Sequence, residues 1–294
     1  MTHIKTVLAL PPDNNPAINY SGANSDDRLL EMWLHNKSVG TIQIYRRVWN
    51  QFFRFSQKSI QAITVSDLMT WVEAISPTLK PATVKSKLYA IKSLLSFANR
   101  VGYTPFNVGA VVKPPSVAAG IHRKCLQPSQ IKAMAGSVES IRDSLLIRLG
   151  YLAGLRASEI AGLTWSCLHN GILTLVGKGG KERSIRLPEA ISNDLLKFKP
   201  VNARDNSPMF ISRVKKGHLN RSSITRIIKQ AAIKAGESDK VSAHWLRHSH
   251  AYNALQSGVS VTLIRDTLGH SSLATTSQYL AISPEDSSAM ALSM

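Results

Sequence analysis

Cysteine is scarce in this 294-residue sequence: only Cys125 and Cys167 occur, and neither has a nearby thiol. That spacing argues against a disulfide framework and a cysteine-based zinc site, and leaves two reduced, partly buried thiols as the plain reading. Long apolar runs are also missing, and none approaches the roughly 18 residues of a membrane span. Ile4 to Leu10 is too short for a signal-peptide core and runs into Pro11 and Pro12, so the expected location is cytoplasmic. Acidic residues are outnumbered two to one, with 18 Asp and Glu against 36 Lys and Arg and a formal net charge of +18. Both halves share the excess: 13 basic residues face 6 acidic ones in 1–120, and 23 face 12 in 121–294. Two basic halves suit a polyanion gripped from both sides, and nucleic acid is the first candidate. A basic but otherwise ordinary surface is the competing reading. A membrane surface fits less well, because no strongly basic amphipathic helix stands apart from the folded regions. The length accommodates two domains, and 44% hydrophobic residues support real cores.

In chain order, residues 1–24 hold Pro11, Pro12 and Pro16 among Asn and Ser and read as a flexible arm. Ser25 caps a predicted helix over Asp26–Asn36, with acids in its first turn. A second is expected over Thr41–Ser56, with Ile42, Tyr45, Val48, Trp49, Phe52 and Phe53 at helical spacing. Thr64 caps a third, Val65–Ile75, and Pro81 opens a fourth that runs to Val101 and buries Val84, Leu88, Ile91, Leu95 and Ala98. Residues 25–106 are thus a helical bundle. Its Lys80, Lys85, Lys87 and Lys92 lie largely off the buried stripe, as a phosphate-facing surface or simply a solvated one. Residues 107–124, with Gly109, Pro114, Pro115 and Gly120, read as a linker. The region 125–294 is mixed: mainly helical, with a small antiparallel sheet. It contains a helix from Pro128, a helix over Ile141–Leu152, a short one through Leu163, a strand over Gly171–Val176, a Gly177–Lys181 turn and a returning strand over Arg183–Leu187. A helix from Pro188, a short strand at Met209–Ile211 and an amphipathic helix over Leu219–Ala235 follow. The His244 helix is broken at Gly258, Val259–Leu268 is a further helix ending at Gly269, and Pro284 opens a last small one.

The chemistry-bearing residues concentrate near the C-terminus. His244 and Arg247 share a helix face at i, i+3; Leu268-Gly269-His270 follows, then Tyr279. Two imidazoles, a guanidinium and a phenol suggest a phosphate site with a tyrosine nucleophile. Metal-free phosphodiester cleavage needs fixed cations around oxygens that gain charge, and the planar fork of Arg156 and Arg247 suits that task. A tyrosine of ordinary pKa near about 10 needs nearby cations and a proton acceptor, for which His244 and His270 are placed. The leaving 5′ oxygen needs a proton, which Lys178 on the hairpin turn can supply. Plainer readings stand beside each of these. Arg156 can pair with Glu159, Lys178 and Lys181 fit any exposed turn, and Tyr279 fits any surface. His244 and His248 form an i, i+4 pair, but without the acid of the zinc-protease motif or an obvious third ligand. Gly177–Lys181 lacks the residues of a nucleotide P-loop, with Leu175 and Glu182 at its deciding positions.

Taken in order, Ala153-Gly154-Leu155-Arg156-Ala157-Ser158-Glu159, the Gly177-Lys178-Gly179-Gly180-Lys181-Glu182-Arg183 hairpin, His244-x-x-Arg247-His248, Leu268-Gly269-His270 and Tyr279 resemble the tyrosine recombinase (phage integrase) family, particularly its compact Xer-like members. The likeness covers nearly the whole chain. It implies a two-domain DNA clamp, with a SAM-like core-binding domain at 25–106 and a catalytic domain at 125–294. It implies that Arg156 and Arg247 activate the scissile phosphate, that Lys178 is the general acid and that His244 moves protons. It further implies that His270 orients the phosphate or the nucleophile, that Tyr279 forms a 3′-phosphotyrosine, and that Glu159 supports the site. Neither metal nor ATP nor any other cofactor is implied. The implied partners are double-stranded DNA and a homotetramer on two duplexes, with room for a partner recombinase or an accessory bending protein; a nucleoid-associated location goes with them. A silent DNA-binding protein, or a topoisomerase IB-like or hairpin-forming enzyme using the same chemistry, is the alternative outcome.

Overall fold

The computed structural model describes residues 19–116, 125–177, 180–212 and 217–270. The chain divides into two compact units, Met1–Ala118 and Ala119–Met294.

In the first unit, α1 (Asp26–Leu34), α2 (Val39–Ser56), α3 (Val65–Ile75) and α4 (Pro81–Arg100) surround one apolar core. Side-chain caps set the starts. Ser25 and Ser38 accept from Arg28 N and Thr41 N, and Thr64 and Asp67 form a reciprocal capping box. With Ser38 as cap, α2 begins at Val39, two residues before the expected start, and Gly40 falls within its first turn. Phe52 and Trp71 meet edge-on at 5.1 Å between ring centroids, the arrangement that ring quadrupoles favour. Val84, Leu88, Ile91, Leu95 and Ala98 are all buried, as their spacing requires, whereas Phe53 is left 42% exposed on the flank of Trp49.

Two boundaries read from composition need correction. Residues 19–24 are no arm: Tyr20 N donates to Val101 O at 2.9 Å, and Ala23 is buried in the core. Backbone pairing and one buried methyl outweigh a polar composition there. Nor does the linker begin at 107, because α5 (Val108–Val111) packs back onto the bundle. Gly109 comes so near α4 that a Cβ would lie 3.2 Å from Lys92 Cα, and Lys92 Nζ donates to Val112 O at 2.5 Å. Lys92 therefore helps to close the unit. Lys87 bonds Gln51, while Lys80 is exposed and Lys85 half-buried. The expected arm over 1–18 and the remaining linker over 117–124 lie outside the described residues.

The second unit begins with α6 (Pro128–Gly136), α7 (Ile141–Leu152) and α8 (Ala157–Gly162). An antiparallel sheet in the order β1 (Leu168–His169), β2 (Ile172–Val176), β3 (Glu182–Arg186) comes next. The pair β2–β3 places Leu173 opposite Ile185 and Leu175 opposite Arg183. The two-residue β1 carries too little pattern to be seen in the sequence. Next come α9 (Glu189–Phe198), α10 (Arg221–Lys234), α11 (Ala243–Gln256) and α12 (Val261–Leu268). The expected strand at Met209–Ile211 is not one: single bridges join Thr164 to Pro208 and Ile211 to His218, and the buried Met209 and Phe210 pack as core residues. Short apolar runs serve either purpose.

α11 is anchored before any site residue is considered. Ser249 Oγ accepts from Leu126 N at 2.7 Å, and Asn253 Nδ2 donates to Leu126 O and to the Tyr151 hydroxyl, both at 3.1 Å. Gly150 on α7 lets Leu246 and Ile160 approach within 3.4 Å of where its Cβ would be. No helix among the described residues is long and apolar enough to cross a membrane. The expected small helix from Pro284 lies outside them.

Candidate active site

Three segments of the second unit converge on one carboxylate. The first is the turn between α7 and α8. Gly154 adopts φ +59°, which glycine tolerates, and Arg156 then takes the extended N-cap conformation. Glu159, three residues into α8, reaches back to accept from Arg156 N at 2.8 Å, closing the helix start. The same carboxylate accepts from Arg156 Nη1 at 2.8 Å. The pairing weighed from sequence thus exists, yet the Arg156 side chain remains 43% exposed and open to a ligand.

The second segment is β3. Arg183 Nη1 and Nη2 reach the two oxygens of Glu159 at 3.0 and 2.9 Å, a planar fork on a planar acceptor. Its Nε donates to Thr267 O at 3.0 Å. Sequence reading did not single Arg183 out, although a signal existed. Strand alternation puts it on the face of Ile185 and Leu187, both buried, where a cation needs a reason.

The third segment is α11 with the end of α12. Arg247 is 2% exposed, and its Nη1 and Nη2 donate to Gly154 O at 2.7 Å and Leu268 O at 2.6 Å. Nη1 also lies 4.0 Å from Glu159 Oε2. Thr267 and Leu268 carry carbonyls that a helix end leaves without intrahelical partners, and two arginines satisfy them. Gly269 then caps α12 at φ +63° and presents His270. A Cβ on Gly269 would lie 3.0 Å from Arg183 Cδ, so glycine serves both conformation and room. His244, exposed in the first turn of α11, packs edge-on against His248 with centroids 4.3 Å apart.

Electrostatics follows from this count of charges. Burial alone would raise the Glu159 pKa, but the hydrogen bonds from Arg183 and Arg156 and the Arg183 charge hold it at about 2. Three guanidinium groups share that one carboxylate, so the cluster keeps a positive excess. His270 is held at about 4 by burial first, then by Arg247, Arg156, Arg183 and His244. It is therefore a neutral hydrogen-bonding group at neutral pH. His250, which the sequence reading passed over, is likewise lowered by burial and Arg247.

The structure thus brings together Arg156, Glu159, Arg247 and His270, with His244 near enough to act on His270, and adds Arg183. Lys178 and Tyr279 lie outside the described residues.

Two expected outcomes arise here. In Gly154→Ala, the added Cβ would meet Leu268 Cδ2 at 2.3 Å in a left-handed conformation. Strain and overpacking together should cost roughly 2–4 kcal/mol in urea denaturation; unchanged stability would refute the tight packing. The His270 ring in the free protein should titrate near 4 by NMR. In the unfolded chain it binds a proton below about 6.5. Stability is therefore lost as pH falls from that value to about 4, and Glu159 adds a further loss between its ordinary value and about 2. A His270 midpoint near 6.5 would contradict the cationic surroundings.

Comparison with known proteins places the chain in a class. Residues 124–286 match the model of the phage integrase family, and 29–102 match the phage integrase N-terminal SAM-like domain. The tyrosine recombinase XerA of Pyrococcus furiosus is 34% identical over 266 residues, covering 85% of this chain and 86% of the relative. XerD of Rickettsia bellii is 29% identical over 283 residues, covering 86% and 92%. Among solved structures, a lambda integrase dimer bound to a COC′ core site aligns with TM-score 0.72 at 19% identity, over 89% of this chain and 95% of that one. The XerH post-cleavage complex on palindromic difH aligns with TM-score 0.71 at 22% identity, over 92% and 84%. The family models and the relatives together define a tyrosine-type recombinase. The chain belongs to the phage integrase family and is of the Xer-like type.

Proposed function

We propose that this protein cleaves and rejoins strands of duplex DNA at a specific site through a 3′-phosphotyrosine on Tyr279. The observation that carries the reading is the arginine cluster around Glu159, whose positive excess suits one phosphodiester. Arg156, with its side chain open to solvent, and Arg247, fixed from beneath, bind the nonbridging oxygens. His270, neutral at the end of α12, donates a hydrogen bond to the phosphate or orients the nucleophile. His244 accepts the tyrosine proton, and Lys178 protonates the departing 5′ oxygen. The new bond joins Tyr279 Oη to phosphorus as the 5′ oxygen leaves. A 5′ hydroxyl from a second duplex then attacks, releases the tyrosine and completes the exchange. The phosphate linkage stores the bond energy, so the chemical step calls for no ATP.

The reading extends to a clamp around DNA by the two basic units, with Lys80, Lys85 and Lys87 contacting the backbone, and to a homotetramer on two duplexes. A cytoplasmic, nucleoid-associated location accompanies a DNA substrate. The test is strand joining between two labelled duplexes that carry the site, in the presence of chelator. Joined product supports recombination. Relaxation of a supercoiled plasmid with no joining would favour topoisomerase-like chemistry, and an absolute magnesium requirement for cleavage would overturn the arginine-based mechanism.

A further inference from the structure

The Glu159 carboxylate is fully occupied. It accepts from Arg156 N and Nη1, both at 2.8 Å, and from Arg183 Nη1 and Nη2 at 3.0 and 2.9 Å. A carboxylate offers about four lone-pair sites, so Arg183 takes half of them. Arg247 Nη1 stands next in line, 4.0 Å from Oε2. If Arg183 were absent, two acceptor sites would open on a carboxylate whose side chain is only 11% exposed, beside Arg247 and Arg156. Arg247 and the remaining donors of Arg156 would be drawn inward, since a half-paired carboxylate with little exposure is costly and charged donors are close. We propose that Arg183 is a positioning residue: by saturating Glu159 it keeps Arg247, and the donors of Arg156 beyond its Nη1, from turning onto that carboxylate, and so keeps their charge directed at a bound phosphodiester. Its third bond, Nε to Thr267 O, serves the same end by fixing the tip of α12 that carries His270.

This inference rests on the proposed role of Arg156 and Arg247 as phosphate ligands, and the test separates the two. A nicked duplex carrying the site recovered with the wild-type protein is cleaved under single-turnover conditions at saturating protein. The variants are Arg183→Gln, Arg183→Lys, Glu159→Gln, the double variant Arg183→Gln/Glu159→Gln, and Arg156→Gln. Arg183→Gln should slow cleavage by about 100-fold, the scale of one lost transition-state donor, with a much smaller change in DNA affinity. Glu159→Gln should harm the wild type yet speed the Arg183→Gln protein by about tenfold, because it removes the anion that traps the other arginines. A merely structural tie between β3 and α12 gives no such reversal of sign.

Arg183→Lys keeps the charge but not the fork and should fall between wild type and Arg183→Gln. It carries the test, again with and without Glu159→Gln, if the glutamine variant does not fold by circular dichroism. If Arg156→Gln cleaves normally, the phosphate-site reading itself fails. If Arg156→Gln is impaired while Arg183→Gln is not, or the double variant is no faster than Arg183→Gln, only the role of Arg183 is overturned.

Discussion

Arg247→Gln is expected to lose roughly 3 kcal/mol of folding stability and to slow DNA cleavage by about a thousandfold. Arg247 is buried, and its fork joins Gly154 O on the α7–α8 turn to Leu268 O at the end of α12. The shorter glutamine amide cannot reach both carbonyls, so at least one stays desolvated without a donor. Charged hydrogen bonds contribute about 1.5–3 kcal/mol each, which sets the scale of the stability loss. The rate loss has a separate origin, in the missing cation and in the drift of the two segments that carry Arg156 and His270. Urea denaturation and single-turnover cleavage read the two effects independently. Arg247→Lys should recover charge but not geometry, because an ammonium cannot present a planar pair of donors. A glutamine variant with wild-type stability and rate would remove Arg247 from the centre of the site.

Tyr279→Phe is expected to abolish covalent attachment to DNA while leaving binding intact. The substitution removes one hydroxyl, the atom that attacks phosphorus in the proposed reaction. Phenylalanine has no nucleophile to offer, so the loss should exceed about ten-thousandfold rather than resemble a weakened contact. Binding draws on lysine and arginine contacts to phosphates elsewhere, so a gel shift should change little. The contrast with Arg247→Gln is diagnostic, since that variant should lose stability as well as rate.

Much of this protein is legible in its sequence because local and tertiary preferences agree. Thr64, Pro81 and Gly269 mark helix ends where the structure has them, and the α4 stripe from Val84 to Ala98 is buried throughout. The misreadings have one physical source: tertiary contacts that composition does not encode. Residues 19–24 and 108–112 look like loop by composition but dock on the first bundle through Tyr20, Ala23 and the carbonyl of Val112. Met209 and Phe210 look like strand and are core packing. At the site, Arg156, Arg247 and His270 were readable as an ordered motif set. Glu159 was readable as a supporting residue too, but its tie to Arg183 was not, because a contact between residues 24 positions apart in the chain leaves no local pattern. Its one trace is a cation on the buried face of β3.

The most direct measurement is the identity of the amino acid that carries DNA after denaturation. The protein is incubated with its DNA, unfolded and digested, and the nucleotide-bearing peptide is sequenced by mass spectrometry. Attachment of a 3′-phosphate to the Tyr279 side chain, absent from Tyr279→Phe, is the expected result. A nucleotide on any other residue, or an equal yield of adduct from the phenylalanine variant, would contradict the proposed mechanism.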